Sequence, residues 1–140
     1  MTDMKALEVL VGEWTVEVVH PDLDGVLPGR MTVEWLEGGG YLIQRSAMED
    51  PAFPSSVSVF GPERGGRRIV QHYFDSRGVA RIYDVSLEDG VLTLSRDDED
   101  MAQRYTGRLS GDGSAIEGAW ERTGEDRAWI HDFALTFRRR

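Results

Sequence analysis

The sequence predicts an all-β fold, an antiparallel up-and-down β-barrel of about ten strands behind a short N-terminal helix. Three observations support this prediction. From Gly12 onward, apolar residues recur at every second position in short runs, turn-forming residues separate the runs, and no helical pattern lies between them. Connections this short exclude parallel pairing, so the strands form a meander, and closing the meander removes its open edges.

The N-terminal helix is indicated by one apolar stripe in the first residues of the chain. The stripe recurs at near-helical spacing and consists of Met4, Leu7, Leu10 and Val11. Thr2 or Asp3 can cap the first turn. Gly12 can end the helix by adopting a left-handed conformation.

The strands are predicted where the apolar period changes to two. The runs are 14–19, 31–36, 41–48, 57–59, 68–74, 79–87, 91–96, 101–109, 115–122 and 129–138. Asp89-Gly90 and Asp112-Gly113 are typical of tight hairpin turns, because glycine accepts the positive φ that these turns demand. Since no internal repeat or linker interrupts the pattern, residues 1–140 are expected to form a single domain.

The junction between helix and first strand reads VGEWTVEVVH and contains Gly12 and Trp14. Gly12 allows a sharp turn, so Trp14 is expected to point inward at the closed end of the barrel. The last strand must pair with the first to close the barrel, which brings its terminal arginines, 138–140, close to Trp14. A guanidinium can then stack on the indole face.

The composition excludes several functional classes. The net charge of −9 argues against nucleic-acid binding, which needs a basic surface, and an anionic membrane surface would repel the chain. The absence of cysteine excludes disulfides and thiolate chemistry. The N-terminus lacks the pattern of a secretory leader, and no apolar run approaches the roughly 20 residues of a membrane span. We therefore expect a cytoplasmic protein with no nucleic-acid or membrane partner.

Several segments together carry a family resemblance. They are Gly12-x-Trp14, 71–83 (QHYFDSRGVARIY), 103–107 (QRYTG), 118–121 (GAWE) and 129–137 (WIHDFALTF). In this order they resemble the calycin superfamily of lipocalins and fatty-acid-binding proteins. More narrowly, they resemble a bacterial family of calycin-like domains of unknown function, over almost the whole chain. The resemblance implies a barrel that binds a small ligand in its interior, and it implies no reaction.

Strand 79–87 provides the strongest candidate for a polar contact inside the barrel. Its more apolar face is predicted to point inward and carries Val79, Arg81, Tyr83 and Val85. A buried arginine needs a partner, because burying an unpaired charge costs several kcal/mol. The partner is either a protein carboxylate or the anionic headgroup of a ligand. Because fatty-acid carriers hold a carboxylate with Arg and Tyr, the resemblance favours the ligand.

Three further side chains are predicted to line the interior, Tyr105, Trp120 and His131. Trp120 alternates with charged neighbours, and Tyr105 lies in one of the resembling segments. His131 shares a face with four apolar residues, Trp129, Phe133, Leu135 and Phe137. As a lone inward histidine, it is a hydrogen-bonded core residue, a ligand contact or an axial ligand of heme. The direction of His72 stays open, because neither face of its strand is more apolar.

The leading hypothesis is a barrel that binds a small hydrophobic or amphipathic molecule. Arg81 would hold the polar end of this molecule, and Tyr83, Tyr105, Trp120 and His131 would surround its body. The three histidines show no metal spacing, so neither a metal site nor a resident cofactor is expected.

Three alternatives remain open at this point. The nitrobindins, another calycin-like family, hold heme through a late histidine, which corresponds to His131 here. Their opening motif is Gly-x-Trp-x-Gly-x-Gly, whereas this sequence has Val16 and Val18 at the later glycine positions. An enzyme would use Arg81, Tyr83 and His131 as acid–base groups. A ligand-free barrel would self-associate, for example as a homodimer, through an exposed apolar face that includes Leu36 and Leu42.

Overall fold

The computed structural model describes residues 2–66 and 68–140 of the chain. Within these residues, one short 3₁₀ helix, Met4–Leu10, precedes ten β-strands. In chain order the strands are β1 (Gly12–Val19), β2 (Leu27–Trp35), β3 (Leu42–Met48), β4 (Ser56–Pro62), β5 (Ile69–Asp75), β6 (Ala80–Glu88), β7 (Val91–Asp97), β8 (Ala102–Leu109), β9 (Ala115–Thr123) and β10 (Trp129–Arg139). β2 begins earlier than the predicted run, at Leu27.

The strands form one closed antiparallel barrel. Each strand pairs with its neighbours in the chain, and β1 pairs with β10 in a register that aligns Trp14 with Arg139. The β6–β7 hairpin turns through Asp89 and Gly90, both at positive φ (53° and 75°), as a two-residue type I′ turn requires. The predicted fold class, an antiparallel barrel behind a short N-terminal helix, is confirmed.

The interior is packed with apolar side chains at the end where the helix lies. In β1, Trp14, Val16 and Val18 are buried, whereas Glu13 and Thr15 between them are exposed. This alternation is expected for a strand with one face on the core and one face in water. The helix contributes its predicted apolar stripe to the same core, with Leu7 and Leu10 buried.

Hydrogen bonds fix the helix across this end of the barrel. The Asp3 carboxylate caps the helix by accepting a hydrogen bond from the Ala6 amide at 3.0 Å, which confirms one of the two predicted caps. The Thr2 hydroxyl accepts a hydrogen bond from the amide of Leu87 in β6 at 2.8 Å. The helix therefore closes one end of the barrel.

Trp14 occupies the junction between the helix and the barrel. Its indole N–H donates to the Leu10 carbonyl at 2.9 Å, and the Arg139 guanidinium stacks on its ring as predicted. The helix ends at Leu10, followed by extended Val11, so Gly12 does not end it. Gly12 instead begins β1 at φ 140°, and a Cβ at this position would collide with the Arg139 side chain. Gly12 thus provides the space in which Arg139 reaches Trp14.

The opposite end of the barrel carries the connections 20–26, 49–55, 76–79, 98–101 and 124–128. Since the helix covers the other end, access to the interior is between these loops. In the described part of the chain, no helix combines the length and the apolar character that a membrane crossing needs.

Candidate ligand-binding site

A cavity of about 490 Å³ lies in the barrel interior and opens between these loops. Its volume falls within the range of small-molecule sites in proteins. The deep part of the cavity is apolar, with lining residues that include Leu10, Val16, Met31, Val33, Leu92 and Ile116. All six are buried. The floor of the cavity is therefore the upper surface of the hydrophobic core.

Aromatic side chains form one wall of the cavity. The Trp120 ring centroid lies 5.2 Å from that of Tyr83, 5.6 Å from that of Tyr105 and 6.5 Å from that of Phe133. The Tyr105 hydroxyl donates to the Leu135 carbonyl at 3.0 Å, and burial raises the pKa of this phenol. The predicted inward direction of Tyr83, Tyr105 and Trp120 agrees with the structure, since all three line the cavity.

Arg81 also lines the cavity and is half-buried. Four arginines in the described ranges are half-buried, and three of them pair with a carboxylate. These three pairs are Arg96–Asp98 at 3.2 Å, Arg104–Glu121 at 2.8 Å and Arg122–Asp132 at 3.7 Å. Arg81 is the fourth, and it forms no ion pair with an Asp or Glu among the described residues. Its guanidinium lies near the Tyr83 hydroxyl. Burial raises the pKa of Tyr83, and the hydrogen bond and positive charge of Arg81 reduce this rise.

A second arginine that lines the cavity, Arg77, is paired with a carboxylate of the protein. Its side chain donates to the Asp75 carboxylate at 2.7 Å and 3.1 Å, and the Tyr73 hydroxyl donates to the same carboxylate at 2.8 Å. Burial opposes ionisation of Asp75, but the hydrogen bonds from Arg77 and Tyr73 outweigh it and hold the pKa at about 2. Arg77 therefore completes a structural pair, in contrast to Arg81.

The mouth of the cavity carries a group of residues that the sequence did not reveal. Asp132 lies between His20 and Arg122, with oxygen–nitrogen distances of 4.0 Å and 3.7 Å. The His20 ring stacks on the Phe133 ring with a centroid distance of 5.9 Å. Phe53 packs edge-on against the Phe133 ring with a centroid distance of 5.1 Å. His20 precedes a proline at a strand end, a position typical of a solvated residue, so no sequence signal pointed to this arrangement.

His131 is the predicted site residue that the structure places elsewhere. A β-bulge between His131 and Phe133 shifts the register of β10 against β9. The extra residue reverses the alternation before Phe133, so His131 is exposed and Asp132 takes the inward position. Trp129 is 40% exposed for the same reason, and Arg104 stacks on it from outside at 4.0 Å. The predicted inward direction of His131 is therefore wrong.

This correction bears on the alternatives that depended on His131. An exposed His131 could not ligate a heme in the cavity, so the residue does not fit the alternative of axial heme ligation. The acid–base set of Arg81, Tyr83 and His131 is not assembled either. Among the described residues, no three His, Cys, Asp or Glu side chains are placed to hold a metal ion.

Two other directions are settled by the structure. His72 is exposed, while its neighbours Gln71 and Tyr73 line the cavity. Leu42 is 0% exposed, so it cannot contribute to the exposed apolar face that was predicted to include Leu36 and Leu42. Of these two residues, Leu36 is the exposed one.

Fold and site together define a class of protein, a closed antiparallel β-barrel with an internal, largely apolar cavity. The chain is similar in structure to the crystal structure of Rv2717c from M. tuberculosis, with a TM-score of 0.66. The alignment covers 98% of this chain and 96% of that one at 13% sequence identity, which shows a shared fold. No family model matches the sequence, and no curated protein matches it.

Proposed function

We propose that this protein binds a small amphipathic molecule with an anionic end in its barrel cavity. One observation carries the proposal: Arg81 is half-buried on the cavity wall and, within the described residues, has no carboxylate partner. The other half-buried arginines are each paired. A ligand carboxylate would supply the missing counter-charge.

The physical reason is the cost of removing a charge from water. A guanidinium that loses hydration without gaining a partner destabilises the folded state, and a bidentate carboxylate recovers that loss with two charge-assisted hydrogen bonds. The apolar floor around Leu92 and Ile116 would hold the rest of the molecule by burying its apolar surface. This division into a charged rim and an apolar depth is what an amphipathic ligand requires.

The arrangement also agrees with the resemblance to the calycin superfamily, whose fatty-acid carriers bind a carboxylate through Arg and Tyr. In this chain the corresponding pair is Arg81 and Tyr83, adjacent on the inner face of β6. Trp120 and Tyr105 would contact the ligand body. We likewise propose that the barrel is calycin-like; the likeness to Rv2717c shows a shared fold alone.

Isothermal titration calorimetry with decanoate and decanol tests the proposal. We expect decanoate to bind more tightly than decanol, and Arg81→Gln to weaken decanoate binding by about 10- to 100-fold, as loss of charged hydrogen bonds predicts. Decanol binding should change little. Arg108→Gln is the matched control, because Arg108 is exposed on β8. Equal binding of both probes, or equal effects of the two substitutions, would contradict the proposal.

A further inference from the structure

The wall of the cavity formed by β3, β4 and β5 is rich in uncharged polar side chains, and we call three of them, Gln44, Ser58 and Gln71, the polar wall. Ser58 is 1% exposed, and its hydroxyl oxygen has no hydrogen-bond partner among the described residues. Gln44 and Gln71 likewise make no side-chain hydrogen bond within residues 2–66 and 68–140. Buried polar groups in folded proteins are almost always paired, so the unpaired Ser58 hydroxyl needs an explanation.

The three side chains form one patch. Gln44 and Ser58 are directly opposed in the β3–β4 ladder. Ser58 is opposed to Tyr73 on β5, and Gln71 lies two residues before Tyr73 on the same inner face, diagonal to Ser58. Each carboxamide offers one acceptor and two donors, and the hydroxyl offers both. The patch can therefore donate and accept hydrogen bonds at neighbouring points.

Three other polar side chains of the cavity have protein partners. The hydroxyl of Tyr73 donates to Asp75 at 2.8 Å, that of Tyr105 donates to the Leu135 carbonyl, and Gln103 accepts from Arg96 at 2.7 Å. The side chains of the polar wall, by contrast, have no hydrogen-bond partner among the described residues. Across the barrel from β4 lies β9 with Trp120, which is in contact with the rings of Tyr83 and Tyr105.

We infer that the ligand is a flat, oxygenated ring acid and not a plain fatty acid. Its ring would stack against the aromatic wall around Trp120, and carbonyl or hydroxyl groups on its opposite edge would bind Gln44, Ser58 and Gln71. Its carboxylate would meet Arg81, so this inference rests on the proposed function. An alkyl chain in the same position would leave the polar wall unpaired and would gain nothing from it.

The test compares three probes by calorimetry: decanoate, naphthoate and hydroxynaphthoate with its hydroxyl on the ring remote from the carboxylate. We expect wild-type protein to bind hydroxynaphthoate about 3- to 10-fold more tightly than naphthoate, the gain from one net hydrogen bond. Ser58→Ala and Gln71→Leu should reduce this preference. Ser95→Ala, on the outer face of β7, is the matched control and should preserve it.

A thermal melt tests whether Ser58→Ala is folded. Because the substitution removes an unpaired hydroxyl, the ligand-free variant should melt no lower than wild type, so a lost preference reports on binding. Gln44→Leu, at a less buried position, provides a second folded variant.

The outcomes separate this inference from the proposed function. Suppose that decanoate binds through Arg81, but that naphthoate and hydroxynaphthoate bind with equal affinity or both bind more weakly than decanoate. The oxygenated ring acid is then excluded as the ligand, and the proposed function stands. If Ser58→Ala, Gln71→Leu and Gln44→Leu all still bind hydroxynaphthoate more tightly than naphthoate, the polar wall is not the source of this preference and the inference is wrong. If none of the three probes binds wild-type protein, both proposals fail.

Discussion

The guanidinium carbon of Arg139 lies 4.1 Å from the centroid of the Trp14 ring, and the two residues are directly paired between β10 and β1. The same guanidinium donates to the carbonyls of Val11 and Val9, both at 2.7 Å. One side chain near the end of the last strand therefore joins the first strand to the C-terminal end of the N-terminal helix. This relationship fixes the closed end of the barrel beneath the cavity.

Substitution of Arg139 by alanine should destabilise the fold. The variant loses a cation–π contact and leaves two backbone carbonyls without this donor, so we expect a loss of about 1–3 kcal/mol in the free energy of unfolding. Urea unfolding followed by tryptophan fluorescence measures it. Arg140→Ala is the control, because Arg140 is held through its backbone amide to the Glu13 carbonyl. Equal stability of both variants would show that the stacked pair contributes nothing.

Substitution of Gly12 by alanine should destabilise the fold for two separable reasons. The backbone at φ 140° is unfavourable for alanine, and the new Cβ would collide with Arg139. We expect a loss of about 1–4 kcal/mol. In the double variant Gly12→Ala/Arg139→Ala the collision disappears but the backbone strain remains, so the combined loss should be smaller than the sum. Strict additivity would mean that Gly12 does not provide space for Arg139.

The sequence predicted this closed end because its signals are local or follow from topology. A two-residue period with short turns leaves few arrangements other than a meander, and closure of a meander must place the last strand beside Trp14. The same reasoning placed Arg81, Tyr83 and Trp120 on the inner face, and these predictions depend only on parity along an uninterrupted strand. The prediction for Tyr105 came from the family resemblance.

The remaining features of the site could not be predicted by parity. The bulge between His131 and Phe133 inserts one residue. The residues that precede it on β10 therefore point to the side of the sheet opposite to the one that parity predicts. The polar wall was missed because hydrophobicity would assign Ser58, between two valines, to the solvated face, and because it left the direction of the strand that carries Gln71 open. Whether ligand binding accounts for these inward polar groups is the question that the probes address.

Stability should fall in acid because of Asp75. Its pKa in the folded protein is about 2, against 3.8 for an ordinary aspartate, and its side chain is fully buried. Because the folded-state pKa is lowered, the contribution is present above about pH 4 and is lost as the pH falls toward 2. The shift corresponds to about 2 kcal/mol. Urea unfolding between pH 2 and 6 should show this slope.

The comparison variant for this slope is Asp75→Asn, in which the acid-dependent loss should be reduced and the stability at neutral pH should be lower. Asp112 also has a pKa of about 2, because hydrogen bonds from Ser114 and Ser110 stabilise its carboxylate, but this residue lies on the surface. Asp112→Asn therefore serves as the control that separates the two aspartates. An unchanged slope in Asp75→Asn would rule out the buried carboxylate as its origin.

Two glycines opposed in the β8–β9 ladder, Gly107 and Gly118, provide the space for the Tyr105 side chain. A Cβ at Gly118 would meet the backbone of Thr106 and would lie 2.7 Å from the Tyr105 hydroxyl, whereas the three atoms nearest to a Cβ at Gly107 belong to the side chains of Tyr105 and Ile116. Backbone cannot move as easily as side chains can. Gly118→Ala should therefore be the more destabilising of the two, by about 1–3 kcal/mol relative to wild type.

The Gly118 substitution should also disturb the cavity, because a displaced Tyr105 loses its hydrogen bond to the Leu135 carbonyl and its contact with Trp120. Near-ultraviolet circular dichroism reports the changed aromatic packing, and thermal unfolding reports the stability of both variants. Equal losses of stability in Gly107→Ala and Gly118→Ala would show that a collision with backbone costs no more at this site than a collision with side chains. If neither changes the aromatic signal, Tyr105 does not depend on the glycine pair for its position against Trp120.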